Sequence, residues 1–288
     1  MAPAPDSGVL VLAATPLGDP RDASPRLRDL IATADVIAAE DTRRFRTLAH
    51  ALGVTYTGKV VSHYDAVETA RLPGLLTTVR EGGTVLVVSD AGMPAVSDPG
   101  YRLVAAAAEE GLPVTCAPGP SAVTTALVLS GLPCERFCFD GFAPRRSAER
   151  RRWLESLHDE RRAVVFFESP RRTADLLTDA VDVLGADRPA AVCRELTKTH
   201  EQVVRGTLGE VTQWATGTEV LGEVTVVLAG AEPGAAPPVE SLVDAVRERT
   251  DDGERLKDAV AAVAEATGVA KRELYNAALA ARDRAARD

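Results

Sequence analysis

The sequence predicts an α/β fold of two lobes, a parallel-sheet amino-terminal lobe and a mixed-sheet carboxyl-terminal lobe, with a small helical hairpin domain behind them. Three observations predict it. Short apolar runs rich in β-branched residues alternate with helical stretches about five times before Gly131, the pattern of a parallel, doubly wound sheet. Beyond Leu132 the strands follow one another more closely, as in a mixed sheet. Gly230 to Pro238, GAEPGAAPP, reads as a linker, and two Ala-rich helical stretches follow it. The expected division is a first lobe over 1–131, a second over 132–230, a linker over 231–239 and a helix-turn-helix-like domain over 240–288.

Val9 to Ala13 is the first buried strand, and Thr15-Pro16-Leu17-Gly18-Asp19-Pro20 is the loop behind it. That loop matches neither a GxGxxG nor a Walker pattern, so the ordinary nucleotide fingerprints are absent. Ser24 and Pro25 open a helix as N-cap and first residue, with Leu27, Leu30 and Ile31 on its apolar face. Val36 to Ala39 is the second strand, and Lys59 to Asp65 the third, with a polar exit through His63. A helix from about Ala66 to Glu81 leads to Val85–Val88, an unbroken apolar run that suits a strand buried on both faces. Ser89-Asp90-Ala91-Gly92 follows, small and polar, where the backbone can turn sharply and approach a ligand. Ligands collect at such strand ends, and the Asp90 carboxylate suits a ribose hydroxyl or an ammonium group; a plain helix N-cap is the alternative. Tyr101 to Glu110 is a helix and Val114 to Ala117 a strand. Ser121 then stands at the start of a helix ending at Ser130, where free backbone N–H groups can hold a carboxylate.

In the second half Phe137–Phe142, Ala163–Phe167, Ala190–Cys193, Gln202–Gly206 and Val224–Leu228 read as strands. Charge gathers at strand ends in both halves: Glu40, Asp41, Arg43 and Arg44 after the second strand, Glu168 to Arg172 and Arg194 to Lys198 later. Such clusters at the ligand-binding edge of a sheet favour a functional reading, with helix capping and solvated arginines as the alternative. Arg145, Arg146, Arg150, Arg151 and Arg152 beside Trp153 form a basic cluster suited to a phosphate backbone, or simply a solvated helix face. Leu256–Ala266, the Thr267-Gly268-Val269 turn and Ala270–Ala281, opening with Lys271 and Arg272, have the helix-turn-helix pattern, which a generic helical hairpin shares.

Composition bounds the function. A chain of 288 residues is long for one domain, and its core needs neither disulfides nor metal. A net charge of −9 argues against a general nucleic-acid coat while leaving room for a local basic patch. The four cysteines form no CxxC pair and read as small buried hydrophobes in a reducing compartment; no metal site is expected. MAPAPDSG lacks the pattern of a signal peptide, and no apolar run reaches membrane-spanning length, so a cytoplasmic protein without membrane contact is expected.

Taken together, the strand-end motifs resemble one family across almost the full length. Ala14–Asp19, Ala39–Arg43, Ser89–Pro94, Asp98–Tyr101 and Pro118–Ala122 come in that family's order, continued by Arg136-Phe137, Gly141-Phe142, Glu168-Ser169 and Arg194–Lys198. The chain is similar to the ribosomal RNA small subunit methyltransferase I family within the tetrapyrrole methylase superfamily. The resemblance implies a bilobal, tetrapyrrole-methylase-like enzyme that binds S-adenosylmethionine between its lobes. It also implies 2′-O-methylation of a cytidine in the decoding region of 16S rRNA in the 30S subunit, and a homodimer. By position it implies donor contacts at Pro16, Asp90, Ala91, Gly92, Met93, Ser121 and Ala122, with Phe167, Leu196, Glu223 and Val224 from the second lobe. Two residues depart from the family pattern: Asp19 stands where the subgroup has Asn, and Met93 where it has Thr.

Methyl transfer to a ribose hydroxyl needs in-line approach to the methyl carbon, removal of the hydroxyl proton and a cradle for nearby phosphates. Glu40, Asp41 and Arg43 are expected to face Glu168, Arg194, Glu195 and Lys198, with Lys198 as first candidate base, its pKa lowered by partial burial and Arg194, and Asp41 as second. An inter-lobe salt-bridge network is the alternative role for this set. Arg145, Arg146, Arg150, Lys271 and Arg272 are expected to hold RNA. Two other functions are weighed: a tetrapyrrole methyltransferase of the precorrin or uroporphyrinogen type, and a helix-turn-helix regulator with a small-molecule sensor.

Overall fold

The computed structural model describes residues 8–232 and 238–285. The amino-terminal segment 1–7, residues 233–237 of the expected linker and the last three residues lie outside the described residues. Residues up to Gly230 form one compact unit and those from Ala231 a second.

The first unit opens with alternating strands and helices: β1 (Val9–Ala13), α1 (Pro25–Thr33), β2 (Val36–Ala39), α2 (Thr42–Ala51), β3 (Lys59–Ser62), α3 (Asp65–Arg80), β4 (Thr84–Val88), α4 (Tyr101–Glu109), β5 (Val114–Ala117) and α5 (Ala122–Ser130). The five strands form one sheet in the order β3-β2-β4-β1-β5, every pair parallel. Leu27 and Ile31 of α1 and Phe45 of α2 pack on one face, Leu75, Leu76 and Val79 of α3 and Leu103 of α4 on the other. That double cover is why Val85–Val88 is apolar without alternation: all four residues are buried. Ser24 caps α1 through the Leu27 N–H at 3.0 Å, and Pro25 takes its first position.

The chain continues with β6 (Phe137–Phe142), α6 (Ser147–Ser156), β7 (Ala163–Glu168), α7 (Pro170–Leu184), β8 (Pro189–Arg194), β9 (Gln202–Thr207), α8 (Leu208–Gly217) and β10 (Val224–Leu228). These strands make the second sheet, β6-β7-β10-β8-β9, parallel only between β6 and β7 and antiparallel elsewhere. It is the expected mixed sheet. The strand-centred reading passed over α7 and α8, although both carry local signals. Pro170 sits at the first turn of α7, and a capping box joins Thr207 and Glu210 at α8.

One helix crosses the expected lobe boundary. α5 precedes residue 131, yet its Val123, Ala126 and Leu127 pack with Val165, Ala191, Cys193 and Val227 of the second sheet. Its amino end meets the loops of the first sheet and its apolar face covers the second. Burying a side chain such as Leu127 is worth about 1.5–3 kcal/mol, so the helix fastens the two lobes together.

The second unit contains α9 (Val243–Asp251), α10 (Leu256–Thr267) and α11 (Lys271–Ala285). The hairpin α10–α11 was expected; α9 was not, because only scattered apolar residues such as Val246 mark it. Gly268, at φ +74, ends α10 in the left-handed conformation that glycine adopts freely. Among the described residues no helix is long and apolar enough to cross a membrane. Of the four cysteines read as buried hydrophobes only Cys193 is buried; burial pushes its thiol up to about 11, while Cys116 and Cys134 are exposed.

Candidate active site

The loops behind β1, β4 and β5 leave the same, carboxyl end of the first sheet, where ligands gather in open α/β folds. Two of them are tied directly. Thr15 N–H donates to Gly92 O at 2.9 Å and Gly92 N–H to Thr15 O at 3.0 Å. Gly92 has φ +80, and a Cβ there would lie 3.2 Å from Leu17 Cδ2, so glycine serves both the turn and the close approach.

Between these loops and the ends of β6, β7 and β10 lies a cavity of about 330 Å³. Of the site residues read from the sequence, it is lined by Glu40, Asp90, Ala91, Gly92, Met93, Ser121, Ala122, Phe167, Glu168, Glu223 and Val224. Ala91, Gly92, Ser121 and Ala122 keep the wall small. Ser121 is the N-cap of α5 but makes no side-chain capping bond, which leaves first-turn N–H groups for a ligand carboxylate.

Glu40 and Asp90 are interlocked. Asp90 N–H donates to Glu40 Oε2 at 3.0 Å, and Asp41 N–H donates to Asp90 Oδ1 at 3.1 Å. Burial is the main cause that pushes both carboxyls above the ordinary range. Arg44 Nη1, 3.3 Å from Asp90 Oδ2, acts in the opposite sense.

Several expected residues stand elsewhere. Asp41 caps α2 through the Arg43 N–H at 2.7 Å and pairs with the Arg43 guanidinium, and neither residue lines the cavity. Arg44 is the member of that arginine pair on the cavity wall. Pro16 is buried behind the Thr15–Gly92 bridge, and Leu196 is buried against Leu17 in the core between the sheets. Arg194 donates to Gln202 Oε1 at 2.7 Å and to Leu221 O at 3.2 Å. Glu168 lines the cavity, but its carboxylate is completely covered, accepting from Ser169 N–H at 2.6 Å and Arg172 Nε–H at 2.7 Å.

Lys198 corrects the expectation of a depressed pKa. Desolvation pulls in that direction, but Glu195 Oε1 at 2.8 Å and Glu223 Oε2 at 3.2 Å outweigh it, and the ammonium is held above its ordinary value. Its stem lies against Gly18, where an added Cβ would come within 2.2 Å of Lys198 Cγ. Asp19 N–H donates to Thr197 Oγ1 at 3.2 Å beside it. Lys198 is thus part of a seam between lobes, and a protonated amine is no base.

Arg150 is also corrected. It is 6 % exposed and donates to Asp179 Oδ2 at 2.7 Å, so it braces α6 on α7 and offers nothing to RNA. Arg145, Arg146, Lys271 and Arg272 are exposed.

Arg44, Phe142 and Asp98 are among the cavity residues absent from the expected site set. Arg44 lies one position from an expected site, and Phe142 was noted only as part of a motif. Phe142 is 58 % exposed, with its ring 5.5 Å from Phe167 in an edge-to-face pair. Asp98, also within a quoted motif, has its carboxyl pushed up to about 7, by burial first and then by the charge of Glu40; the Ser89 side chain opposes the shift. Among the described residues no group of histidine, cysteine and acidic side chains suits a metal ion.

Residues 9–212 match the family model of tetrapyrrole (corrin/porphyrin) methylases, and 236–282 match the RsmI C-terminal HTH domain. A Mycobacterium tuberculosis protein named ribosomal RNA small subunit methyltransferase I is 61% identical over 277 residues, 96% of each chain. A protein of the same name from Halalkalibacterium halodurans is 41% identical over 276 residues, 94% of each. In fold, the chain is similar to uroporphyrin-III C-methyltransferase from Thermus thermophilus, solved with S-adenosylhomocysteine (TM-score 0.54, 19% identity, 77% of this chain and 97% of that one). The chain therefore belongs to the tetrapyrrole methylase family, in the branch whose curated members are named ribosomal RNA small subunit methyltransferase I.

Proposed function

We propose that the chain uses S-adenosylmethionine to methylate the 2′-oxygen of a cytidine ribose in the decoding region of 16S rRNA, acting as a cytoplasmic homodimer on the 30S subunit. The observation that carries the reading is the cavity itself: small walls and uncapped α5 amides beside Asp90 on one side, an exposed aromatic on the other. The relatives' name supports a ribosomal RNA substrate.

S-adenosylmethionine, when bound, supplies an electrophilic methyl group on a sulfonium. The amides at Ser121 and Ala122 hold its carboxylate, and Asp90 takes a ribose hydroxyl or the ammonium group. Ala91, Gly92 and Met93 from one lobe, with Phe167, Glu223 and Val224 from the other, close around it. Pro16 and Leu196 support these walls from behind. Holding donor and hydroxyl in line supplies a share of the rate of about 7–11 kcal/mol in well-aligned cases. Phe142 offers a face on which a base can stack, and Arg145, Arg146, Lys271 and Arg272 hold phosphates.

The test incubates the protein with labelled S-adenosylmethionine and 30S subunits lacking the modification, then maps the label by mass spectrometry. One methyl on a cytidine ribose is expected. Label on a nucleobase, or transfer to uroporphyrinogen in place of RNA, overturns the reading.

A further inference from the structure

A ribose hydroxyl in an RNA chain does not arrive alone. The 2′- and 3′-oxygens sit on adjacent ring carbons, so presenting the first to a methyl donor brings the phosphate on the second to the same wall. That wall is acidic. The cavity is lined by Glu40, Asp90, Asp98, Glu168 and Glu223 and, among the described residues, by a single lysine or arginine, Arg44. A phosphate among carboxylates is repelled unless a positive group receives it.

The other cations at these strand ends are committed by hydrogen bonds. Arg43 Nη2 donates to Asp41 Oδ2 at 3.2 Å and Arg172 Nε–H to Glu168 Oε1 at 2.7 Å. Arg194 Nε–H donates to Gln202 Oε1 at 2.7 Å, and Lys198 Nζ to Glu195 Oε1 at 2.8 Å. Arg44 differs. Its side chain is 64 % exposed and donates no hydrogen bond among the described residues; its ion pair, Nη1 to Asp90 Oδ2, spans 3.3 Å. An exposed pair of this kind is worth little and is readily exchanged for another anion. The root of the side chain, by contrast, is fixed. Arg44 stands in the first turn of α2, which Asp41 caps through the Arg43 N–H at 2.7 Å. The next residue, Phe45, is buried with its ring 5.2 Å from that of Tyr56. A rigid backbone thus carries a free planar fork on the cavity wall, the form in which arginine binds phosphate through two parallel hydrogen bonds.

We propose that Arg44 binds the phosphate on the 3′ side of the target nucleotide and so seats the ribose hydroxyl against the methyl donor; this rests on the function proposed above. The guanidinium exchanges Asp90 for the arriving phosphate, while the base lies on the exposed ring of Phe142 in the same cavity. The contact selects a nucleotide within a chain over a free nucleoside, which offers the same hydroxyl and no phosphate.

The test compares wild type, Arg44→Ala and Arg44→Lys in single-turnover transfer to 30S subunits lacking the modification, over a range of subunit concentration and salt. Calorimetry with S-adenosylhomocysteine and thermal melts accompany the kinetics. Arg44→Ala should raise the half-saturating subunit concentration about 10–100-fold, the range for a lost hydrogen bond to a charged group. The salt slope of the logarithm of RNA affinity should become shallower by about 0.7–0.9, the value of one phosphate contact. Melting temperature should be unchanged, and S-adenosylhomocysteine affinity should stay within about threefold, because the side chain is exposed and makes no hydrogen bond to the protein. Arg44→Lys should restore the slope but only part of the affinity, since an ammonium keeps the charge without the fork. A half-saturating concentration for Arg44→Ala within about twofold of wild type, with the slope intact, overturns the proposal. So does S-adenosylhomocysteine affinity falling in step with transfer, which would assign Arg44 to the donor site through Asp90. Should Arg44→Ala not fold, Arg44→Gln is read by the same outcomes. A wild type that transfers no methyl to an RNA hydroxyl overturns the proposed function, and this proposal with it.

Discussion

Arg150 and its neighbours show how far residue type alone misleads. Arg145, Arg146 and Arg150 look equivalent in sequence, but only the last turns inward, one helical turn along α6, to meet Asp179. Burial pushes the Asp179 carboxyl up, and hydrogen bonds from Arg150 and Arg151 outweigh it and leave it lowered. Replacing Arg150 with Ala removes one partner of a buried pair, a change that costs about 3–5 kcal/mol where nothing compensates. Arg151, 3.1 Å from Asp179 Oδ1, remains, so the expected loss is at the lower end of that range by urea denaturation. A lowered carboxylate contributes stability above its ordinary range and loses it as pH falls, so the deficit of Arg150→Ala should shrink in acid. RNA affinity should be almost unchanged, whereas Arg145→Ala and Arg146→Ala should weaken it without affecting stability. Equal loss of RNA binding in all three would return Arg150 to the RNA surface.

At the scale of elements, what was legible and what was not follow the range of the interactions. β4 and its turn were legible because a doubly covered strand must be apolar throughout and a close-approach turn must be small. Ser24-Pro25 marked α1 for the same local reason. The partners of Lys198 were not legible, since Glu195 and Glu223 reach it through a turn and a strand end that only the folded sheet brings together. Asp98 stood in a motif, yet its burial beside Glu40 depends on β2 and β4 being neighbours. The seam at Gly18 is another long-range feature. A methyl group there meets Lys198 Cγ and lies 3.0 Å from the Lys198 backbone nitrogen. Gly18→Ala should destabilise the first unit by about 1–3 kcal/mol, the usual cost of overpacking, and weaken S-adenosylhomocysteine binding as the β1 loop is displaced. Unchanged denaturation and unchanged affinity would show that the seam accommodates the methyl without cost.

For the whole molecule, the net charge of −9 and a polyanionic substrate are compatible only if the basic groups are local. Arg145 and Arg146 are exposed immediately after β6, close in sequence to Phe142 on the cavity wall; Lys271 and Arg272 open α11 in the separate second unit. A contact with a phosphate releases condensed counterions, so the logarithm of RNA affinity should fall linearly with the logarithm of salt, by about 0.7–0.9 per phosphate neutralised. Donor binding, proposed here to rest on the α5 amides and Asp90 within the cavity, should then release few ions and change much less. Filter-binding titrations between about 50 and 200 mM salt read the slope, and calorimetry with S-adenosylhomocysteine supplies the internal control. Removing Arg145 and Arg146 together should lower the slope by about 1–2, and removing Lys271 and Arg272 by a similar amount if the second unit also grips RNA. A slope untouched by the second pair would confine recognition to the first unit. An RNA affinity insensitive to salt in the wild type would remove phosphate contacts from both.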